Sequence, residues 1–493
     1  MARRSLILIT IDCLRADHVG FLGCSRETTP FLDSLANESF IFNNALANGV
    51  PTYYSLPALL NSRYPMALGR DIVGMAPGES TIASELKECG YRTAAFVAAN
   101  PYISPFFGYA DGFDVFCDFL HSTENNFAIN TGEAQHSFRG SANSFLSRTS
   151  HGLPLLGSAY DELYFRYCQL VSSADSLDSL RRFPSADVIV DSAIAWLNEH
   201  SPSPFFLWLH FMDPHAPYYP KPDALALVGH RKISSAGARY LNCYWARGDL
   251  APKRLVKKRE SIFGLYDAGI RWADTQIARL ASKLVDLNVW NNCAVAVTAD
   301  HGEEFLEHGG RFHAPFKLNE ELVHVPLLLR VPGAEVRREV LEPFGLIDLA
   351  PTMLDALGLS PPADFRGRSC WRKLLKKETW SHPVVTECAY GCTNPFDEEK
   401  RNAPRLLAVR KGDYKLILNF VSGSQELFQL TSDPNETCPL PLGTAMQVRR
   451  ELLEHAKKHV AESYKSRDLD SRVTAKVKDL RLKWAHSNDI RSN

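Results

Sequence analysis

The sequence predicts an α/β protein, a three-layer αβα sandwich on a mostly parallel central sheet, followed by a small antiparallel sheet subdomain. Two patterns carry this. Short apolar runs rich in β-branched residues, such as Ser5–Ile11, Pro204–Phe211 and Cys293–Thr298, recur with amphipathic helical stretches between them. That is the pattern of parallel strands buried on both faces. Beyond residue 375 the period changes to alternation over Leu406–Arg410, Tyr414–Leu418 and Glu426–Leu430, separated by Lys411-Gly412-Asp413 and Ser422-Gly423-Ser424 turns. Those segments read as hairpin strands.

At 493 residues the chain can bury a large core, so residues 1–375 are expected to form one α/β domain. Residues 376–446 would hold the small sheet and 447–493 a basic helical tail. The 55 Lys and Arg nearly balance the 56 Asp and Glu, for a net charge of -1, which gives no field that argues for nucleic acid or a membrane surface. No apolar run approaches the roughly 18 residues of a membrane span. The apolar run after Met1-Ala2-Arg3-Arg4-Ser5 is short and ends in Asp12 without a small-residue cleavage site, unlike a secretion signal. Eleven cysteines without CxxC spacing read as reduced thiols, and a cytoplasmic location is expected. The oligomeric state is left open.

Taken in order, Ser5–Ile11 is a buried strand that ends on Asp12. Glu27–Ala36 is a helix with Pro30 in its opening turn, and Phe40–Ala47 a second short strand. A glycine-containing loop then enters a helix that carries Thr52, Ser55 and Pro57 in its first turns. Any one hydroxyl there serves as a helix cap, yet the same end of a helix also favours a phosphate or sulfate. Arg92–Val97 is a strand closing near Asn100, which is placed to cap the next turn or to bind a substrate oxyanion. From about 121 to 182 Ser, Asn, Gly and Thr dominate, as in an insertion over the active edge or a spacer.

Ala186–Leu197 is an amphipathic helix, and the strand after it runs into Met212-Asp213-Pro214-His215-Ala216-Pro217, where two prolines stiffen the mount of His215. A long helix over Ser261–Asn288 carries Asp267 and Arg271 as an i,i+4 pair. Cys293–Thr298 ends on Asp300, His301 and Gly302, and an adjacent Asp and His at a strand end can share one metal. Carboxyl ends of parallel strands line one edge, where ligands bind, so Asp12 and Asp300 belong together there. His308, Arg311 and His313 lie in a glycine-rich return loop, where one or two of them face an anion. A strand over Val325–Val331 and a helix over Phe344–Gly358 complete the large domain.

With these segments in place the chain resembles the sulfatase family of the alkaline phosphatase superfamily over almost its whole length. The matching motifs are Ile11-Asp12-x-Leu14-Arg15-Ala16-Asp17-His18, Thr29–Ala36, Thr52–Pro65, Met212–Pro217, Thr298–Glu303 with Glu307-His308-Gly309, Asp348–Thr352 and Tyr414–Ile417. The resemblance implies one divalent metal ion held by Asp12, Asp300, His301 and the nucleophile oxygen. Oxygen ligands with one imidazole suit Mg, Ca, Mn or Zn. It also implies that His215 and His313 face the substrate, either of them able to protonate a leaving alkoxide. Many family members carry a second Asp after the first; here the residue is Cys13.

A second departure lies at the nucleophile. Typical sulfatases oxidise a Cys or Ser of Cys/Ser-x-Pro-x-Arg to formylglycine. Counting back from Leu59 and Leu60 puts Thr52 there, with Tyr54 and Leu56 where Pro and Arg are expected. A second frame on Ser55 keeps Ser55-x-Pro57 but also lacks the Arg. Threonine cannot be converted by the usual route and resembles the phosphodiesterase and phosphoglycerol transferase branches. The expectation is a hydrolase of phosphate or sulfate esters, phosphodiesters favoured, working through a covalent intermediate on Thr52. The substrate would be a small-molecule or glycan ester. A transferase onto a glycan or lipid alcohol and a non-catalytic anion binder are the alternatives.

Overall fold

Eight strands form the central sheet of the computed structural model. They are Ser5–Ile11 (β1), Phe40–Phe42 (β2), Arg92–Val97 (β3), Val115–Cys117 (β4), Phe205–Phe211 (β5), Cys293–Ala299 (β6), Leu327–Arg330 (β7) and Arg338–Val340 (β8). The structure describes residues 3–65, 74–76, 78–120, 163, 177–229, 233–313, 316–334, 337–389 and 405–463. The predicted insertion therefore falls outside the described residues except for 163 and 177–182, as does the tail beyond 463.

Across the sheet the order is β8-β2-β7-β6-β1-β5-β3-β4. The five strands from β6 to β4 run parallel, while β7 is antiparallel to both of its neighbours. Every residue of β1, β5 and β6 is buried, which for side chains that alternate between faces means that both faces are covered. The covering helices form two groups. Thr52–Asn61 (α1) packs with Leu349–Ala356 (α2) and Ile82–Glu88, whereas Ala186–His200 packs with the long helix Pro252–Asp286 (α3). This is the predicted three-layer αβα architecture.

Register positions the site. Ile11 lies opposite Phe211 on one side and Ala299 on the other, so Asp12, Met212 and Asp300 leave the sheet at one edge. Gly269 of α3 lies against the Asp213 carbonyl, where a Cβ would collide, and so the helix closes directly on the loop bearing His215.

Several local expectations change. Phe40–Ala47 is two strands: β2 joins the central sheet, and Ala45–Leu46 pairs with His324–Val325 and Phe344–Gly345 in another. Alternation alone could not show that the chain changes sheets at Asn43 and Asn44. The helix expected from Phe344 begins at Leu349, after that strand and a 3-10 turn. α3 begins at Pro252, earlier than expected, because the charged run Lys253–Glu260 is helical with little apolar periodicity to reveal it. Asp267 and Arg271 do not pair: buried Asp267 meets His18 Nδ1 at 2.6 Å and Arg26 Nε at 2.7 Å, and Arg271 turns to Asp274. Burial of Asp267 against the opening loop outweighs an exposed i,i+4 contact. The small antiparallel sheet gains a fourth strand, Val384–Ala389, ahead of Arg405–Lys411, Tyr414–Asn419 and Gln425–Gln429. Residues 446–463 are helical, and no described helix is long and apolar enough to cross a membrane.

Candidate active site

Four of the sequence-predicted residues meet at that edge. Thr52 opens α1 and places its Oγ1 3.1 Å from His301 Nε2 and 3.4 Å from Asp12 Oδ2. His301 Nε2 lies 3.4 Å from Asp300 Oδ2 and 3.9 Å from Asp12 Oδ1. Ser55, the other candidate hydroxyl, donates instead to the Asp300 backbone carbonyl at 2.5 Å. It therefore serves the wall of the site, and no hydrogen bond joins its side chain to Asp12 or His301. One helical turn separates the two hydroxyls, so only one can point at a given spot.

The residues present fit a cation. Asp12, Asp300 and His301 are fully buried, and their donor atoms lie within 4.8 Å of one another. Asp300 Oδ1 accepts from the Cys13 and His301 N–H groups, but its Oδ2 has no hydrogen-bond partner among the described residues. Neither carboxylate is paired with Lys or Arg among the described residues, and two buried negative charges without a cation are costly. Donors about 2.1 Å from one ion stand roughly 3–3.5 Å apart, and the separations here run from 3.1 to 3.9 Å. His301 Nδ1 is held by the Gly302 carbonyl at 2.8 Å, which leaves Nε2 facing the group.

Two further imidazoles border the cluster. His313 packs on the His301 ring with centroids 4.7 Å apart and on His215 at 5.0 Å. Its Nδ1 lies 3.2 Å from Glu303 Oε1, and Tyr218 donates to the other Glu303 oxygen at 3.2 Å. Burial opposes the charge on His313, but Glu303, Asp12 and Asp300 hold its pKa up at about 9. Burial pushes His215 below the ordinary histidine range, against the attraction of Asp12. For Asp12, burial is overcome by His215, His210 and His301, and its carboxyl falls well below the usual carboxylate range.

His308 and Arg311 do not reach this group: His308 Nδ1 binds Glu321 at 2.7 Å, and Arg311 donates to the Trp245 carbonyl. Asn100 is buried, and its Oδ1 accepts from Tyr102 N–H at 3.0 Å, as a turn cap does; no hydrogen bond joins it to Asp12, Thr52 or His301. His210, within β5, was not anticipated from the sequence; its Nε2 lies 3.4 Å from Asp12 Oδ2 while Nδ1 is held by Thr10 at 2.8 Å. The signal was a polar residue inside the apolar run Phe205–Phe211. Arg15 binds Asp17, Glu307 and the Glu303 carbonyl, tying the opening loop to the return loop.

The fold and this edge define a hydrolase of the alkaline phosphatase-like class. The chain belongs to the sulfatase family, whose model matches residues 4–359; one for the N-sulphoglucosamine sulphohydrolase C-terminal region matches 307–462. A Clostridium perfringens arylsulfatase is 26% identical, with 88% of this chain and 89% of that protein covered. Human iduronate 2-sulfatase is 27% identical over 67% of this chain and 60% of its own length. Matches to arylsulfatase K, as in the dog, span about half of each protein, at 25% identity. Among solved structures, BT4656 with D-glucosamine-2-N,6-O-disulfate has a TM-score of 0.68 at 19% identity, covering 94% of this chain and 98% of that one. The phosphonate monoester hydrolase of Agrobacterium radiobacter has a TM-score of 0.63 at 19% identity, with 94% and 96% covered. Both share the fold.

Proposed function

We propose that this protein hydrolyses phosphate or sulfate esters with the Thr52 hydroxyl as nucleophile, and that phosphodiesters and related phosphate esters are its preferred substrates. The observation that carries the reading is the placement of Thr52 Oγ1 at the head of a ten-residue helix, within 3.4 Å of both Asp12 and His301. A divalent cation held by Asp12, Asp300, His301 and the Thr52 oxygen would lower the pKa of that hydroxyl and offset charge on the substrate.

The rest of the chemistry falls to the chain itself. The positive end of α1 favours the anionic oxygens of the substrate beside Thr52. The Thr52 hydroxyl gives its proton to solvent as its bond to phosphorus forms, the bond to the leaving alkoxide breaks, and the alkoxide takes a proton. His313, supported by Glu303 at 3.2 Å, is the group placed to carry that proton as an imidazolium. His215, fixed through Nδ1 on the Ala216 carbonyl, stands beside His313 with ring centroids 5.0 Å apart. Water then attacks the covalent ester and frees Thr52. With its Oδ1 engaged by Tyr102, Asn100 has only its amide nitrogen to offer a substrate.

Phosphate is preferred over sulfate for a chemical reason. Oxidation of a Cys or Ser side chain yields an aldehyde, whereas the secondary alcohol of Thr52 would yield a ketone. Leu56, fully buried, stands where the family pattern has an arginine. Sulfate is kept as the second reading because the relatives above are named sulfatases.

The test is turnover of bis-p-nitrophenyl phosphate, p-nitrophenyl phenylphosphonate and p-nitrophenyl sulfate with Mg, Ca, Mn or Zn. Phosphate-ester cleavage that falls on the order of 10³-fold or more in Thr52→Ala supports the assignment. Ser55→Ala should keep turnover within a few-fold and cost about 1 kcal/mol of stability, the usual worth of one hydrogen bond. Sulfate cleavage that survives in Thr52→Ala and vanishes in Ser55→Ala would overturn it. A rate that depends on an added alcohol would indicate transfer, and no turnover at all a binding protein.

A further inference from the structure

A sulfur donor adjoins the carboxylates of the candidate active site. Cys13 is fully buried, and its backbone has a left-handed φ of 61°, unusual for a residue with a side chain. Two contacts hold it so. Its N–H donates to Asp300 Oδ1 at 3.3 Å, and its carbonyl accepts from the Tyr266 hydroxyl at 2.6 Å. The thiol is thereby aimed at Asp12 Oδ1, 3.0 Å away, and at His313 Nδ1, 3.4 Å away. Donor atoms of Asp12, Cys13 and His215 lie within 4.8 Å of one another, and so do those of Cys13, His301 and His313.

We propose that Cys13, with Asp12, His215 and His313, forms a second cation position beside that of Asp12, Asp300 and His301, and that it takes zinc rather than calcium or magnesium. Asp12 is divided between the two: Oδ1 faces the thiol, and Oδ2 faces Thr52. Thiolate and imidazole donors suit zinc, while calcium and magnesium require oxygen. Zn–S near 2.3 Å and Zn–N near 2.0–2.1 Å in a tetrahedron separate sulfur and nitrogen by about 3.5 Å. The observed separation is 3.4 Å. Binding exchanges the Cys13 thiol proton and the His313 imidazolium proton for the metal, so two protons leave for each zinc bound. The functional consequence rests on the proposed roles of His215 and His313. Zinc held here takes both imidazoles away from the substrate, and excess zinc therefore inhibits.

The test is titration of the metal-free full chain with zinc and cobalt. The expected result is two equivalents per chain for wild type and one for Cys13→Ser. The cobalt form should show near-ultraviolet sulfur-to-cobalt absorption that Cys13→Ser lacks. On the wild-type protein, where no variant need fold, zinc X-ray absorption should find a sulfur neighbour at about 2.3 Å. One equivalent in wild type, or two with no sulfur neighbour, would overturn the proposal. Thr52→Ala keeps the sulfur signature whether or not it keeps turnover. Failure of the nucleophile assignment and failure of the zinc position are therefore separate results.

Discussion

Two buried clusters of charge in this protein are balanced in opposite ways. Where the small sheet meets the large domain, Lys415 Nζ lies 2.9 Å from Glu320 and 2.8 Å from Glu436, and Arg410 reaches Glu320 at 2.7 Å. Two acids face two bases, and all four side chains are largely buried. At the sheet edge Asp12 and Asp300 are buried as deeply, yet hydroxyl, thiol, amide and imidazole groups are their partners. The first cluster is complete within the chain and holds parts together. The second has the electrostatics of a site that expects a cation from outside.

The sharpest way to break this contrast is Asp300→Asn. It should abolish stoichiometric metal at the Asp12, Asp300 and His301 position and lower turnover on the order of 10³-fold. Metal analysis and initial rates report both, and unchanged metal content would refute the site. Lys415→Met removes the shared cation from Glu320 and Glu436 and should cost about 3–5 kcal/mol, read as a lower denaturant midpoint. Its metal content should match wild type, because nothing at the sheet edge changes. In the same region Glu321 bonds to His308 and, against partial burial, raises its pKa from 6.5 to about 9. A raised histidine pKa stabilises the fold fully below about pH 6.5 and loses that contribution as the pH rises through about 9. The loss should be small, about 1 kcal/mol, since the ring is partly exposed and water screens the pair. Stability curves at pH 6 and pH 10 should differ less in His308→Gln than in wild type.

The strand ends were legible in the sequence because a buried parallel strand writes itself as an apolar run, and its last polar residue marks the active edge. Asp12, Asp300 and His301 were readable for that reason, and Thr52 by its distance from Leu59 and Leu60. His210 was hidden within such a run, and Asp267 was misread because its partners His18 and Arg26 are about 240 residues away. Val384–Ala389 escaped because residues 384–388 are all buried, with Glu387 bridging back to Gly49, so the run shows no alternation of apolar and polar residues.

The order of apolar periods, glycines and prolines determined by itself that this chain forms a mostly parallel α/β sheet with acids at its carboxyl edge. Such patterns are local and survive in any one segment read alone. Only the tertiary structure decided between Thr52 and Ser55 as the hydroxyl facing Asp12, since the two differ by one turn of the same helix. It alone also placed the Cys13 thiol against His313, three hundred residues on, and left Asp300 Oδ2 without a hydrogen bond among the described residues. Those are distances between segments, and the closing of the sheet sets them.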